Sequence, residues 1–230
     1  MGGTNMKKLL VMFLVGVMAI SMVGCGESEE EIKGTLTDNQ TVQQEEEDVS
    51  VMDALGETAA TVYENDYLGI GFNLPTDWTF YTQEQINEMN GIVQETLDDE
   101  IAKKLEEASA VYDMMAMGST GNNVNVVFEK IGALQNAIHS EKDYAESSQE
   151  TTKTALEQIG CTDVNIEVGN VNFAGEEHAA IITVSNMNGV KLYQKGVCLK
   201  QGSYFVVVTV TAFNEDLTDD ILANFYALSK

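Results

Sequence analysis

Residues 164–212 read VNIEVGNVNFAGEEHAAIITVSNMNGVKLYQKGVCLKQGSYFVVVTVTA, and the patterning of this stretch decides the fold. Val164–Phe173, His178–Ser185 and Val190–Leu199 read as successive strands of a meander. Short turn signals separate the runs: Ala174-Gly175, Asn188-Gly189 and Gln201-Gly202. Asn-Gly is the most favourable pair for a type I′ turn, because both positions need positive φ. Met187 is therefore expected to pair with Val190. The fourth run, Tyr204–Ala212, is rich in β-branched residues with little alternation, which predicts a central strand covered on both faces. Four strands joined by tight turns make an antiparallel meander.

The flanking sequence supplies helices to cover that sheet. Upstream, Ser140 starts a helix through Tyr144, Ser148, Ala155, Leu156 and Ile159 that stops at Gly160. Val111–Met117 and Val124–Ile131 read as two strands joined across Gly118-Ser119-Thr120-Gly121-Asn122-Asn123. Before them, Thr82 and Gln85 form a capping-box pattern. The helix they open is expected to run to about Ala108 on the stripe Ile86, Met89, Val93, Leu97, Ile101 and Leu105. The domain opens with Leu68, Ile70, Phe72 and Leu74 alternating as a strand, which Pro75, the chain's sole proline, turns toward Trp78. Downstream, Thr218 is read as the cap of a last helix that buries Ile221, Leu222, Phe225 and Leu228. The expected fold class is α+β: an antiparallel β-sheet meander packed by helices, in a single domain over residues 62–230.

The entrance Tyr63, Tyr67, the alternating strand, Leu74-Pro75 and Asp77-Trp78 resembles the opening of PsbP-like domains, and the late meander with a C-terminal helix is similar too. That resemblance covers roughly Tyr63–Lys230 and implies an α/β/α sandwich. It carries over no catalytic residue, because members outside photosynthesis mostly have no assigned activity.

At the N-terminus, Lys7 and Lys8 precede the uncharged apolar run Leu9–Val23, which closes on Met22-Val23-Gly24-Cys25. This is the plan of a secretory signal peptide, too short and wrongly flanked for a stable membrane span. A small residue directly before a cysteine resembles the lipobox of bacterial lipoproteins, with Met22 where that family usually has Leu. The resemblance implies removal of residues 1–24, a diacylglyceryl group on Cys25, and an extracytoplasmic protein anchored by lipid to a bacterial, Gram-positive-type cell membrane.

Residues 25–61 then read as an acidic disordered tether. The runs Glu29-Glu30-Glu31 and Glu45-Glu46-Glu47-Asp48 carry almost no apolar surface between them. Such a tether spans roughly 30–35 Å on average, more if its charges repel.

Charge sets the partner classes. All 12 basic residues of the 230 are lysines, and loss of residues 1–24 leaves 10 lysines against 37 acids, a formal charge of −27. Such a surface repels phosphate backbones, so nucleic acid is excluded as a partner. The expected partners are an envelope protein, a glycan or wall component, a peptide or a small ligand, cationic or neutral, with the membrane met only through the N-terminal lipid.

Catalytic chemistry finds little to use. Only His139 and His178 offer imidazoles. In the expected register Ala179 lies opposite Cys198 and His178 opposite Leu199, so Cys198 and His178 point to opposite faces and form no dyad. Cys161 falls at the Asn188 end of the sheet, roughly 30 Å from Cys198, too far for a disulfide. Both read as small core residues. Asn214–Asp220 alternates oxygen ligands like a calcium loop but lacks the glycine at its sixth place and the closing Glu, where Phe225 stands. No metal or cofactor is expected, and no catalytic residue is assigned. The alternative is a cell-envelope hydrolase using paired carboxylates. For ligand binding, the aromatic residues Tyr67, Trp78 and Tyr81, with Tyr63 nearby, are the candidates.

Overall fold

In the computed structural model, residues 49–92, 98–130 and 140–229 are described. They form five helices and eleven strands. The first half runs α1 (Val51–Ala54), β1 (Glu57–Thr58), β2 (Val62–Asn65), β3 (Ile70–Asn73), β4 (Trp78–Phe80), α2 (Gln83–Met89), α3 (Asp98–Glu107), β5 (Ala110–Gly118) and β6 (Asn123–Lys130). The second half runs α4 (Glu141–Gln158), β7 (Cys161–Phe173), β8 (Glu176–Met187), β9 (Val190–Gln201), β10 (Tyr204–Phe213), α5 (Thr218–Leu222) and β11 (Phe225–Ala227).

The large sheet has seven antiparallel strands in the order β4-β5-β6-β10-β9-β8-β7, so Tyr204–Ala212 does form the central strand. Met187 pairs with Val190 around Asn188 (φ 50°) and Gly189 (φ 83°), and Phe173 pairs with Glu176 around Ala174 and Gly175. The fold class is therefore α+β, built on antiparallel sheets.

One face of the large sheet carries α4, whose buried side runs from Tyr144, stacked on Phe205 at 4.5 Å, to Leu156. The other face carries a second sheet, order β1-β2-β3-β11. Between the sheets lies the main core, where Val206, Val208, Val210 and Ala212 of β10 meet Tyr63, Phe72 and Phe225. A sheet in this layer was not expected from the sequence, where the covers are read as helices.

Four expectations are corrected. The domain does not begin at residue 62. Val51 and Ala54 are fully buried, β1 pairs with β2, and the Tyr204 hydroxyl donates to the Val49 carbonyl at 3.0 Å. Apolar burial, which the flanking acids mask in the sequence, draws Val49, Val51, Ala54 and Leu55 onto the core. The expected helix from Thr82 to Ala108 is interrupted after Met89. Gly91 adopts φ +71°, and the Asn90 side chain leaves the helix to bond both backbone groups of Tyr112 at 2.7 and 2.9 Å. The last helix ends at Leu222, because Phe225–Ala227 pairs as a strand with β3. Its N-cap is Leu217 rather than Thr218 and has no side-chain cap, although Asp216 Oδ1 accepts from the Thr218 backbone N–H at 3.1 Å. The signal sequence, Cys25, the tether as far as residue 48, Val93, Leu97 and His139 lie outside the described residues.

Candidate functional site

The three aromatic candidates do not share one site. Trp78 pairs with Gly118 and its ring covers that glycine, where a Cβ would sit 2.7 Å from the indole nitrogen. Tyr81 packs with Ile86 and Met115 under α2. Tyr67 lies elsewhere, edge-on to Tyr204 at 6.3 Å and tilted against Phe128 at 6.4 Å. Tyr204 begins β10, whereas Asn123, next to the Gly118–Asn122 turn beneath Trp78, pairs with Thr211 seven residues further on. At about 3.3 Å per residue, Tyr67 and Trp78 mark ends of the sandwich roughly 23 Å apart.

The open end is Tyr67's. Asn65 builds the turn that presents it: its Oδ1 accepts from the Leu68 N–H at 2.8 Å, while its Nδ2 donates to the Ala54 carbonyl and to Asp113, both at 2.9 Å. The Tyr67 hydroxyl donates to the Gln201 carbonyl at 3.1 Å. Gly202 is required beside it: its φ is +53°, and an added Cβ would lie 2.5 Å from that hydroxyl. A cavity of about 600 Å³ opens here between the two sheets. Asp66, Tyr67, Glu141, Phe173, Glu176 and His178 carry its chemistry, and Lys200 also reaches its wall. On the other side of Tyr67 a cleft of about 350 Å³ is lined by Asp53, Glu57, Glu64 and again Asp66.

His178 is the chemical centre of the larger cavity. Its Nδ1 lies 3.0 and 3.2 Å from the two oxygens of Glu141. A carboxylate only accepts, so Nδ1 carries the hydrogen and Nε2 is the nitrogen that titrates. Glu141 also accepts from the backbone N–H of Lys200 at 3.2 Å and of Ala179 at 3.4 Å. One carboxylate thus ties α4 to β8 and β9. Its place follows from the capping box of Ser140 and Asp143, which makes Glu141 the first residue of α4.

The hydrogen bond to Glu141 raises the imidazole above its ordinary value; burial opposes this, and the charges of Glu141 and Glu176 add to it. For Glu141, burial pushes upward, but His178 and the two backbone N–H groups outweigh it, holding the carboxyl below its usual range. His178 therefore stabilises the fold fully below its unfolded value of about 6.5, and Glu141 does so above about 4.5, so the pair is strongest between those limits.

The sequence reading puts His178 at the start of a strand and gives it no partner. The only hint of its partner was the cap at Ser140, because Glu141 lies 37 residues away.

His178 and Cys198 do face opposite sides. Cys198 is buried with Tyr144, Ala179 and Phe205 toward α4, and burial pushes its thiol far up. His178 packs edge-on to Phe173, whose side chain belongs to the core between the sheets. Cys161 and Cys198 are both buried free thiols.

Two acids of the calcium-like stretch are engaged elsewhere, Asp216 with Thr218 and Asp219 with Lys195 at 2.5 Å. Among the described residues, no group of three or more His, Cys, Asp or Glu side chains is placed to hold a metal ion. Nor is any described helix long and apolar enough to cross a membrane.

Burial raises two carboxyl groups, Glu129 to about 7 and Asp113 above its ordinary value. They do not converge. Glu129 meets Tyr144 of α4 at 2.7 Å, whereas Asp113 accepts from Tyr63 at 2.6 Å and from Gly56 on the opposite face. No protein-family model matches the chain, and no curated protein matches it.

Proposed function

We propose that this chain is a lipid-anchored extracytoplasmic binding module whose ligand site is the Tyr67 cavity. The anchor rests on the apolar run closing at Gly24-Cys25. The observation that carries the binding reading is the cavity itself, a concave space of about 600 Å³ with Tyr67 and Phe173 as apolar walls and Asp66, Glu141 and Glu176 as acceptors. An aromatic wall beside carboxylates suits a ligand with an apolar body and a positive head, such as a basic segment of an envelope protein or peptide. A likeness to PsbP-like domains remains part of this proposal, supported by the Leu74-Pro75 turn into Trp78 and by the meander. The hydrolase alternative needs a protonated carboxyl facing a second carboxylate, and the two raised carboxyls, Glu129 and Asp113, lie on opposite faces of the sheet.

Isothermal titration of the full chain with trilysine and with chitotetraose tests the site. Trilysine is expected to bind, and Tyr67→Ala to weaken it about tenfold or more. Binding that is unchanged by Tyr67→Ala would remove the cavity from the proposal. The anchor is tested by intact mass: membrane-extracted protein should carry diacylglyceryl on Cys25, and an unmodified Cys25 would contradict it.

A further inference from the structure

The Tyr67 cavity holds one group that opposes the ligand proposed for it. His178 sits among Glu141 from α4, Glu176 from its own strand, Asp66 from the β2–β3 turn, and Lys200 from β9. When protonated, the imidazole is a fixed cation already placed on the Glu141 carboxylate, at 3.0 Å. An ammonium group entering the cavity meets the same carboxylates and is repelled by that charge across a few ångströms.

Losing the proton from Nε2 removes the repulsion and costs no hydrogen bond, because Nδ1–H still donates to Glu141. We infer that the cavity takes a compact organic cation, an alkylammonium such as a lysine side chain, in exchange for the proton on His178. This rests on reading the cavity as the binding site.

The exchange balances simply. One ammonium enters, the Nε2 proton leaves to solvent, and no covalent bond to carbon changes. Linkage then fixes the pH dependence. While His178 is protonated in the free protein and neutral in the complex, affinity rises up to tenfold per pH unit, and it levels off once His178 is neutral in both. The Glu141 hydrogen bond, which raises the imidazole, shifts this transition toward higher pH. Lys200 is the other cation on the cavity wall. It hangs from β9 and contributes its backbone N–H to Glu141.

The experiment is a calorimetric titration of the full chain with trilysine at about pH 6 and about pH 8, in phosphate and in an amine buffer of different ionisation heat, Bis-Tris at the lower pH and Tris at the higher. The expected result is a dissociation constant at least tenfold lower at the higher pH, with release of close to one proton per site at the lower one. His178→Gln should bind trilysine with nearly the same affinity at both and release none. An independent readout avoids reliance on a variant that could misfold. His139 and His178 are the only histidines in the chain, so the His178 imidazole resonance can be followed by NMR. Saturating trilysine should lower its titration midpoint.

Binding of equal strength at both pH values, or an unmoved midpoint with trilysine bound, overturns the exchange while leaving the cavity as a cation site. Absence of binding at either pH overturns the cationic reading of the cavity and the exchange with it.

Discussion

The two faces of the seven-stranded sheet are built from alternate residues of the same strands, yet they differ in kind. On β10, Val206, Val208, Val210 and Ala212 face the small sheet and are buried in an apolar cluster with Phe72, Phe128 and Tyr63. Their neighbours Phe205, Val207, Thr209 and Thr211 face α4, and there the surface turns polar toward the middle. Thr183, Gln194, Thr211 and Asn123 pair side by side across β8, β9, β10 and β6, forming a polar row with no residue more than 3 % exposed. Gln194 donates to Thr211 at 3.0 Å, but Gln194 Oε1, Thr183 Oγ1, Asn123 Oδ1 and Thr209 Oγ1 have no partner among the described residues. Burying an unpaired polar atom costs about 1–3 kcal/mol.

One face therefore holds the fold together while the other carries a standing cost. The Tyr67 cavity is walled by Phe173, Leu68 and Leu199 from the apolar side, so its shape is set by the rigid layer. Glu141 and Lys200 reach it from the α4 side.

The largest expected effect comes from removing part of the apolar layer. A chain starting at residue 62 loses buried Val51 and Ala54, worth about 2–4 kcal/mol. It also leaves Asp113 without the Gly56 N–H at 2.9 Å, at a further cost of about 1–3 kcal/mol. Its melting temperature should fall by about 10 °C or more relative to a chain starting at residue 49. Equal melting temperatures would mean that 49–61 contributes nothing to this layer.

On the polar face the sign reverses. Glu129 is 9 % exposed, accepts one hydrogen bond from Tyr144, and leaves Oε1 unpartnered. Burial raises it to about 7. A raised carboxyl supports the fold below its unfolded value near 4.5 and loses that support as pH rises through about 7. Ionised Glu129 thus costs up to about 3 kcal/mol at pH values above 7. Glu129→Gln should raise stability by up to that amount near pH 8 and change it little near pH 5, read from denaturant titrations at the two values. A variant that is less stable near pH 8 would show that the ionised carboxylate is well accommodated.

How much of this was legible in the sequence follows from the range of the interactions involved. The meander, its register and the central strand were readable because the Asn188-Gly189 turn and the β-branched run Tyr204–Ala212 are local signals. The small sheet was not. Val62–Asn65 and Phe225–Ala227 are too short to show a period, and Phe225 continues the helical spacing of Ile221 and Leu222 until pairing with Phe72 overrides it. The interruption at Asn90 depends on the backbone of Tyr112, 22 residues away. The site was half visible: Tyr67 was named, but it was grouped with Trp78, which the fold places at the far end. His178 was seen without Glu141, because no local pattern joins a helix start to a hairpin strand.

The smallest and most direct test uses two neighbours on β10. Val208 faces the apolar layer and Thr209 the polar row, and both are almost fully buried. They are nearly equal in volume to Thr and Val respectively, so exchanging each for the other changes polarity with little change in packing. Val208→Thr should destabilise by about 1–3 kcal/mol, because its hydroxyl would enter a layer of Val, Phe and Tyr side chains. Thr209→Val removes an unpartnered Oγ1 and should leave stability unchanged or raise it by about 1 kcal/mol. Urea denaturation of the two variants beside the parent chain reads both values. If Thr209→Val instead costs as much as Val208→Thr, the polar row is a satisfied network, and the contrast between the two faces fails.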